Sequence, residues 1–231
     1  MKIIKKLTAL CLLIIVLFAG YLLLSNHIIS IPFLDTFFEE APQEASMAHG
    51  WQLILVNENY CIPEDYTLEM TTLSNGEQVD SRIYPDLQEM FDDMRELGIY
   101  PLVRAGYRSH QDQKDLMERR IAAYEAEGYS RCEAEELAED WVAKPGTSEH
   151  ELGIAVDINQ DVEKSTAEAV YSWLADNAHY YGFILRYPPD KIEITDISNE
   201  PWHYRYVGRD AALEMYTSGL CLEEYIENIN Q

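Results

Sequence analysis

The stretch Ser148-Glu149-His150-Glu151-Leu152-Gly153-Ile154-Ala155-Val156-Asp157 decides how this chain is read, because it joins two metal-ligating side chains to a short apolar run. As a strand, Gly153 to Ile158 sends successive side chains to opposite faces. Ile154, Val156 and Ile158 then form a core face, and Gly153, Ala155 and Asp157 form a nearly bare one. A carboxylate on such a face needs a cationic partner, since an unpaired buried charge is costly. His150 precedes the strand after Pro145-Gly146-Thr147, where a loop can fold it back toward Asp157. A third ligand, His203, stands in Glu200-Pro201-Trp202-His203. Three nitrogen or oxygen ligands leave a tetrahedral zinc one open position, the catalytic rather than the structural arrangement.

Working outward, the N-terminus reads as a targeting segment. Lys2, Lys5 and Lys6 precede an uncharged run from Leu7 to Leu24. As a helix this run spans about 27 Å, close to the hydrocarbon thickness of a bilayer. No small-x-small cleavage site follows Leu24, so the run is expected to be an uncleaved transmembrane helix rather than a removed signal peptide, residues 1–24 forming a cytoplasmic tip and the anchor. The lysines place the N-terminus in the cytoplasm and the rest outside the cell membrane. Cleavage would instead make the protein secreted.

Beyond Leu24 there are 14 basic and 41 acidic residues, a formal charge of 14 minus 41, or −27. Such a surface excludes nucleic acid as a partner, because phosphate recognition needs a basic face. Cys61, Cys132 and Cys221 lie in this exported part without C-x-x-C spacing, and no catalytic role is expected of them.

Residues 25–50 read as a stalk, and the folded domain is expected over 51–231, opening with a buried strand at Gln52–Val56. Apolar residues at 87, 90, 91, 94 and 97 predict a helix over Pro85–Leu97, stopped by Gly98. A strand at Pro101–Ala105 follows. Ser109 with Asp112, Ser130 with Glu133 and Ser165 with Glu168 have the spacing of capping boxes, predicting helices toward Glu127, Ala143 and Tyr181. Strands are expected at Ile154–Ile158, Phe183–Tyr187 and His203–Val207, with Lys191–Thr195 as a further one. Short helices near Ala211–Met215 and Leu222–Ile226 close the chain. Without a regular β-α-β alternation, the class is α+β.

Pro201 biases Glu200 to extended backbone. Glu200 is the candidate base that takes a proton from the attacking water and passes it to the leaving amine. Arg108, in the turn Gly106-Tyr107-Arg108-Ser109, is the candidate partner for the developing oxyanion. His27, His49, His110 and His179 lack an adjacent ligand, and Trp202, Tyr204 and Tyr206 read as core packing.

Together, Gly106-Tyr-Arg-Ser109, Pro145-Gly-Thr-Ser-Glu-His150 running into Asp157, and Glu200-Pro-Trp-His-Tyr-Arg-Tyr-Val-Gly208 resemble the VanY-like D-alanyl-D-alanine carboxypeptidases. The resemblance implies a small antiparallel sheet flanked by helices, as in the D,D-peptidase and hedgehog-like group. It implies Zn2+ on His150, Asp157 and His203, Glu200 as catalytic base, and Arg108 on the substrate carbonyl. Ser148 and Gln113 would contact the substrate, a peptidoglycan stem peptide ending in D-Ala. An L,D-carboxypeptidase or endopeptidase would share the metal site, and a non-catalytic zinc-containing peptidoglycan-binding module would need neither Glu200 nor Arg108. Asn199 and Asp196 depart from the family, which commonly has an aromatic residue and Gly there.

Overall fold

The computed structural model describes residues 41–231. The helix expected over Leu7–Leu24 lies outside the described residues, as do most of the stalk and His27. Among the described residues no helix is long and apolar enough to cross a membrane.

Among the described residues, eight strands and seven α-helices follow one another: β1 (Gln43–Glu44), β2 (Tyr60–Cys61), β3 (Met70–Thr72), β4 (Gln78–Asp80), α1 (Tyr84–Glu96), β5 (Pro101–Ala105), α2 (His110–Glu127), α3 (Arg131–Glu139), β6 (Ala155–Gln160), α4 (Ala167–Asn177), β7 (Phe183–Leu185), α5 (Ile192–Thr195), β8 (His203–Tyr206), α6 (Arg209–Ser218) and α7 (Leu222–Ile229). Single 3-10 turns occupy Trp51–Leu53, Glu149–Leu152 and Ala178–Tyr181. The main sheet is antiparallel throughout, in the order β5-β6-β8-β7. This is the α+β arrangement expected from the sequence.

The alternation in β6 sets the layers. Ile154, Val156 and Ile158 are fully buried and join Leu87, Met90, Phe91 and Met94 of α1 and Val170 and Leu174 of α4 in the principal core. Tyr204 and Tyr206 of β8 enter the same core. The opposite face of β6 and β8 carries Asp157, His203 and Arg205. The α2–α3 hairpin packs around its own small core of Met117, Ile121, Ala134, Ala138 and Val142.

Helix starts follow capping chemistry at two of the three expected places. The Ser109 side chain accepts from the Asp112 N–H, and Ser130 forms a capping box with Glu133. At α4 the cap is Thr166, which accepts from the Ala169 N–H. Ser165 Oγ instead accepts from the Tyr100 N–H at 2.7 Å, tying α4 to the start of β5.

Three further expectations are corrected. Gln52–Val56 is not a strand: Trp51–Leu53 forms a 3-10 turn, although Ile54 and Val56 are buried as expected. The carbonyls of Gln52 and Ile54 accept hydrogen bonds from Arg205 Nη2 at 3.0 and 2.7 Å, so a side chain replaces a ladder. Lys191–Thr195 is the short helix α5 rather than a strand, capped by Asp196 at φ 53°. This left-handed conformation gives a physical reason for Gly being common there. Packing also begins before Trp51, because Gln43–Glu44 pair in parallel with Tyr60–Cys61 and Ala45 is buried. The thiols of Cys61, Cys132 and Cys221 are all free.

Candidate metal centre

Asp157 and His203 are paired residues of β6 and β8, so antiparallel register alone brings two of the three candidate ligands face to face. The third, His150, lies in the 3-10 turn Glu149–Leu152 immediately before β6. One ligand atom from each of the three lies within 4.8 Å of the others. His150 Nε2 is 3.5 Å from Asp157 Oδ1, and His203 Nδ1 is 3.1 Å from the same oxygen. The two imidazole rings meet edge to face, their centroids 4.9 Å apart.

The donor set fits zinc. His150 Nδ1 donates to the Gly106 carbonyl at 2.8 Å, which leaves the Nε2 lone pair for a metal. Close packing against a neighbouring strand explains Gly at position 106, since a Cβ there would come within 2.2 Å of the Gln78 carbonyl oxygen. Gly153 precedes β6 and serves a turn rather than the strand face. It adopts φ +71° to end the 3-10 turn, and its carbonyl accepts from the Asp80 N–H at 2.8 Å.

Electrostatics separate the two carboxylates of the site. Burial pushes the Asp157 pKa up, but His150 and His203 prevail and hold it far below the usual range. Burial also dominates at Glu200; Asp157 adds to the rise, and His203, Arg108 and Arg120 only partly counter it, leaving a pKa of about 7. Glu200 Oε2 lies 3.6 Å from His203 Nδ1, so a carboxyl suited to proton transfer near neutrality adjoins the ligand cluster.

Arg108 is half-buried in the turn after β5, and its backbone N–H donates to the His150 carbonyl at 3.1 Å. Its Nη1 donates to Gln113 Oε1 at 2.6 Å, and Gln113 Nε2 donates to the Ala143 carbonyl at 2.6 Å. Gln113, buried on α2, thus has both ends of its amide engaged and orients Arg108. Ser148 is buried one position before Glu149.

The family model for VanY, D-alanyl-D-alanine carboxypeptidase, matches residues 76–209, a span that contains every one of these side chains. A D-alanyl-D-alanine carboxypeptidase of Enterococcus faecalis is 52% identical over 195 residues, covering 81% of this chain and 73% of the relative. The chain belongs to the VanY family.

Among solved structures, a variant of the vancomycin resistance D,D-pentapeptidase VanY from a VanB-type cassette, in complex with Zn(II), is similar with a TM-score of 0.74. The identity is 56%, over 76% of this chain and 99% of that one. VanYB in complex with D-alanine-D-alanine is similar with a TM-score of 0.75 and 55% identity, over 77% of this chain and 98% of that one.

Within this VanY fold, sequence reasoning passed over the residues behind His203. Glu149 Oε2 faces His203 Nε2 at 3.4 Å, while its Oε1 accepts from Arg186 Nε at 2.8 Å and Arg205 Nη1 at 2.7 Å. A signal was present: Arg205 shares a strand face with His203, and an arginine amid the aromatic residues of β8 must find a buried acid. Of the remaining histidines, exposed His110 pairs with Glu151, His49 meets Asn230, and His179 stacks on Tyr216.

Proposed function

We propose that the protein is a zinc-dependent D-alanyl-D-alanine carboxypeptidase that removes the terminal D-Ala from peptidoglycan stem peptides. The reading is carried by one juxtaposition: Glu200, with its pKa raised to about 7, beside the His150–Asp157–His203 cluster. Membership of the VanY family and the likeness to zinc and D-alanine-D-alanine complexes support it.

His150 through Nε2, Asp157 through Oδ1 and His203 through Nδ1 would hold the ion. Bound there, zinc supplies Lewis acidity toward the scissile carbonyl and the attacking water. Glu200 accepts the proton of that water and returns it to the amine of the departing D-Ala, so the peptide bond is replaced by a carboxylic acid and a free amine. Arg108, oriented by Gln113, turns its guanidinium toward the carbonyl oxygen as negative charge develops there. Ser148 contacts the peptide beside His150.

The catalytic domain is placed outside the cell membrane by residues 1–24, acting as a single-pass anchor. Deleting those residues is expected to move the protein from the membrane pellet to the soluble fraction; an unchanged distribution removes the anchor from this account.

The reaction is tested by Glu200→Gln in a protein assayed for both bound metal and release of D-Ala from a stem pentapeptide. The variant is expected to keep one zinc and lose turnover. Wild-type turnover in Glu200→Gln would sink the proposal.

A further inference from the structure

His203 has carboxylates at both edges of its ring. Nδ1 faces Asp157 Oδ1 at 3.1 Å and Glu200 Oε2 at 3.6 Å, within the ligand cluster. Nε2, on the far edge, faces Glu149 Oε2 at 3.4 Å. Glu149 is only 2% exposed, and its other oxygen is occupied by donors from Arg186 and Arg205.

Both arginines are themselves fixed from behind. Arg186 donates to the two oxygens of Glu223 on α7 at 2.9 and 2.5 Å. Arg205 donates to the carbonyls of Gln52, Ile54 and Tyr206 at 3.0, 2.7 and 3.1 Å. Glu149 therefore has no freedom to turn, and its Oε2 is left aimed at one group, the imidazole.

A neutral imidazole carries a single N–H, and an ionised carboxylate only accepts. With Oε2 held against Nε2, the proton belongs on Nε2 and the lone pair on Nδ1 points into the cluster. We propose that Glu149 is a positioning residue of the metal centre, which holds His203 in the tautomer that ligates through Nδ1. Arg186 and Arg205 keep it there.

The two histidine ligands then use opposite ring nitrogens. His150 is fixed by a backbone carbonyl and binds through Nε2; His203 is fixed by a buried carboxylate and binds through Nδ1. This inference rests on the reading of His150, Asp157 and His203 as zinc ligands.

Glu149→Gln is nearly isosteric and separates the two claims. The arginine donors retain the amide oxygen on their side, so the amide N–H2 meets His203 Nε2. Nε2 must then accept, and the proton moves to Nδ1, where it opposes the metal. Zinc affinity, measured by competition with a chromophoric chelator, is expected to fall by about 10- to 100-fold. Glu223→Gln loosens Arg186 without changing what His203 faces, so its affinity is expected to stay within about threefold of wild type, well short of the loss expected for an outer-shell partner. Circular dichroism checks that both variants are folded.

In the zinc-loaded wild-type protein, nitrogen-15 NMR is expected to show the His203 ring proton on Nε2. The proposal is overturned by wild-type affinity in Glu149→Gln, by equal losses in both variants, or by a ring proton on Nδ1. The NMR result decides even if Glu149→Gln fails to fold. Wild-type protein that binds no zinc at all would remove the metal reading first.

Discussion

At the residue scale, Glu200 must be ionised when water attacks, yet burial favours its neutral form and raises its pKa to about 7. A raised carboxyl pKa means that activity is lost as pH falls through that value. A bound cation favours the carboxylate, so the acid limb of kcat/KM is expected at or below pH 7 but above about 4.3, the range of a free glutamate. Glu200→Gln is expected to lower kcat by about 10²- to 10⁴-fold with zinc retained.

His203 behaves in the opposite sense. Burial opposes its charge, but hydrogen bonds to Asp157 and Glu149 prevail and raise its pKa to about 9. Zinc binding near neutrality must displace that proton. Conditional zinc affinity is therefore expected to rise by about tenfold per pH unit toward pH 9, and calorimetry in buffers of differing ionisation heat should register proton release. In the metal-free protein the same raised pKa stabilises the fold below pH 6.5, and that contribution is lost as pH rises through about 9. The convergence of His150, Asp157 and His203, with Glu200 beside them, was legible because each stands inside a longer motif whose neighbours mark it out. Glu149 was not, because a glutamate in so acidic a chain reads as one more solvated charge until the arginines enclosing it are seen.

At the scale of elements, β6 was legible from its period of two, and its core face is the test of that reading. Ile158→Ala is expected to destabilise the metal-free protein by about 2–5 kcal/mol in urea unfolding, because a fully buried side chain leaves a cavity against α1 and α4. A loss below about 0.5 kcal/mol, the range of surface substitutions, would contradict the packing described.

The elements that escaped the sequence are short or lack a local pattern. β3 and β4 hold three residues each, too few for alternation to register. Gln52–Val56 has strand composition, yet its carbonyls are taken by Arg205 from a distant part of the chain. The start of α4 was displaced by one residue because Ser165 and Thr166 are both good caps, and Ser165 is engaged by Tyr100. Thr166→Ala is expected to cost about 1 kcal/mol, the usual worth of an N-cap.

For the whole molecule, charge and composition argued against a nucleic-acid partner without naming a function. The three motifs named one because the sheet register brings together residues some fifty positions apart, with Asp157 opposite His203. Removing the ion should therefore cost more than activity. The ligands converge only in the folded chain, so zinc stabilises the native state by mass action. Chelation is expected to lower Tm by several degrees, taking about 2–4 °C per kcal/mol at this chain length, and excess zinc to restore it.

The central claim is that this cluster, with Glu200 and Arg108, removes one D-Ala from a stem peptide. Mass spectrometry of defined stems incubated with the zinc-loaded protein tests it most directly. The account predicts that the pentapeptide loses a single alanine and the tetrapeptide stays intact. Cleavage of the tetrapeptide alone would show an L,D-carboxypeptidase, and zinc-loaded protein that cleaves neither would contradict catalysis at this site.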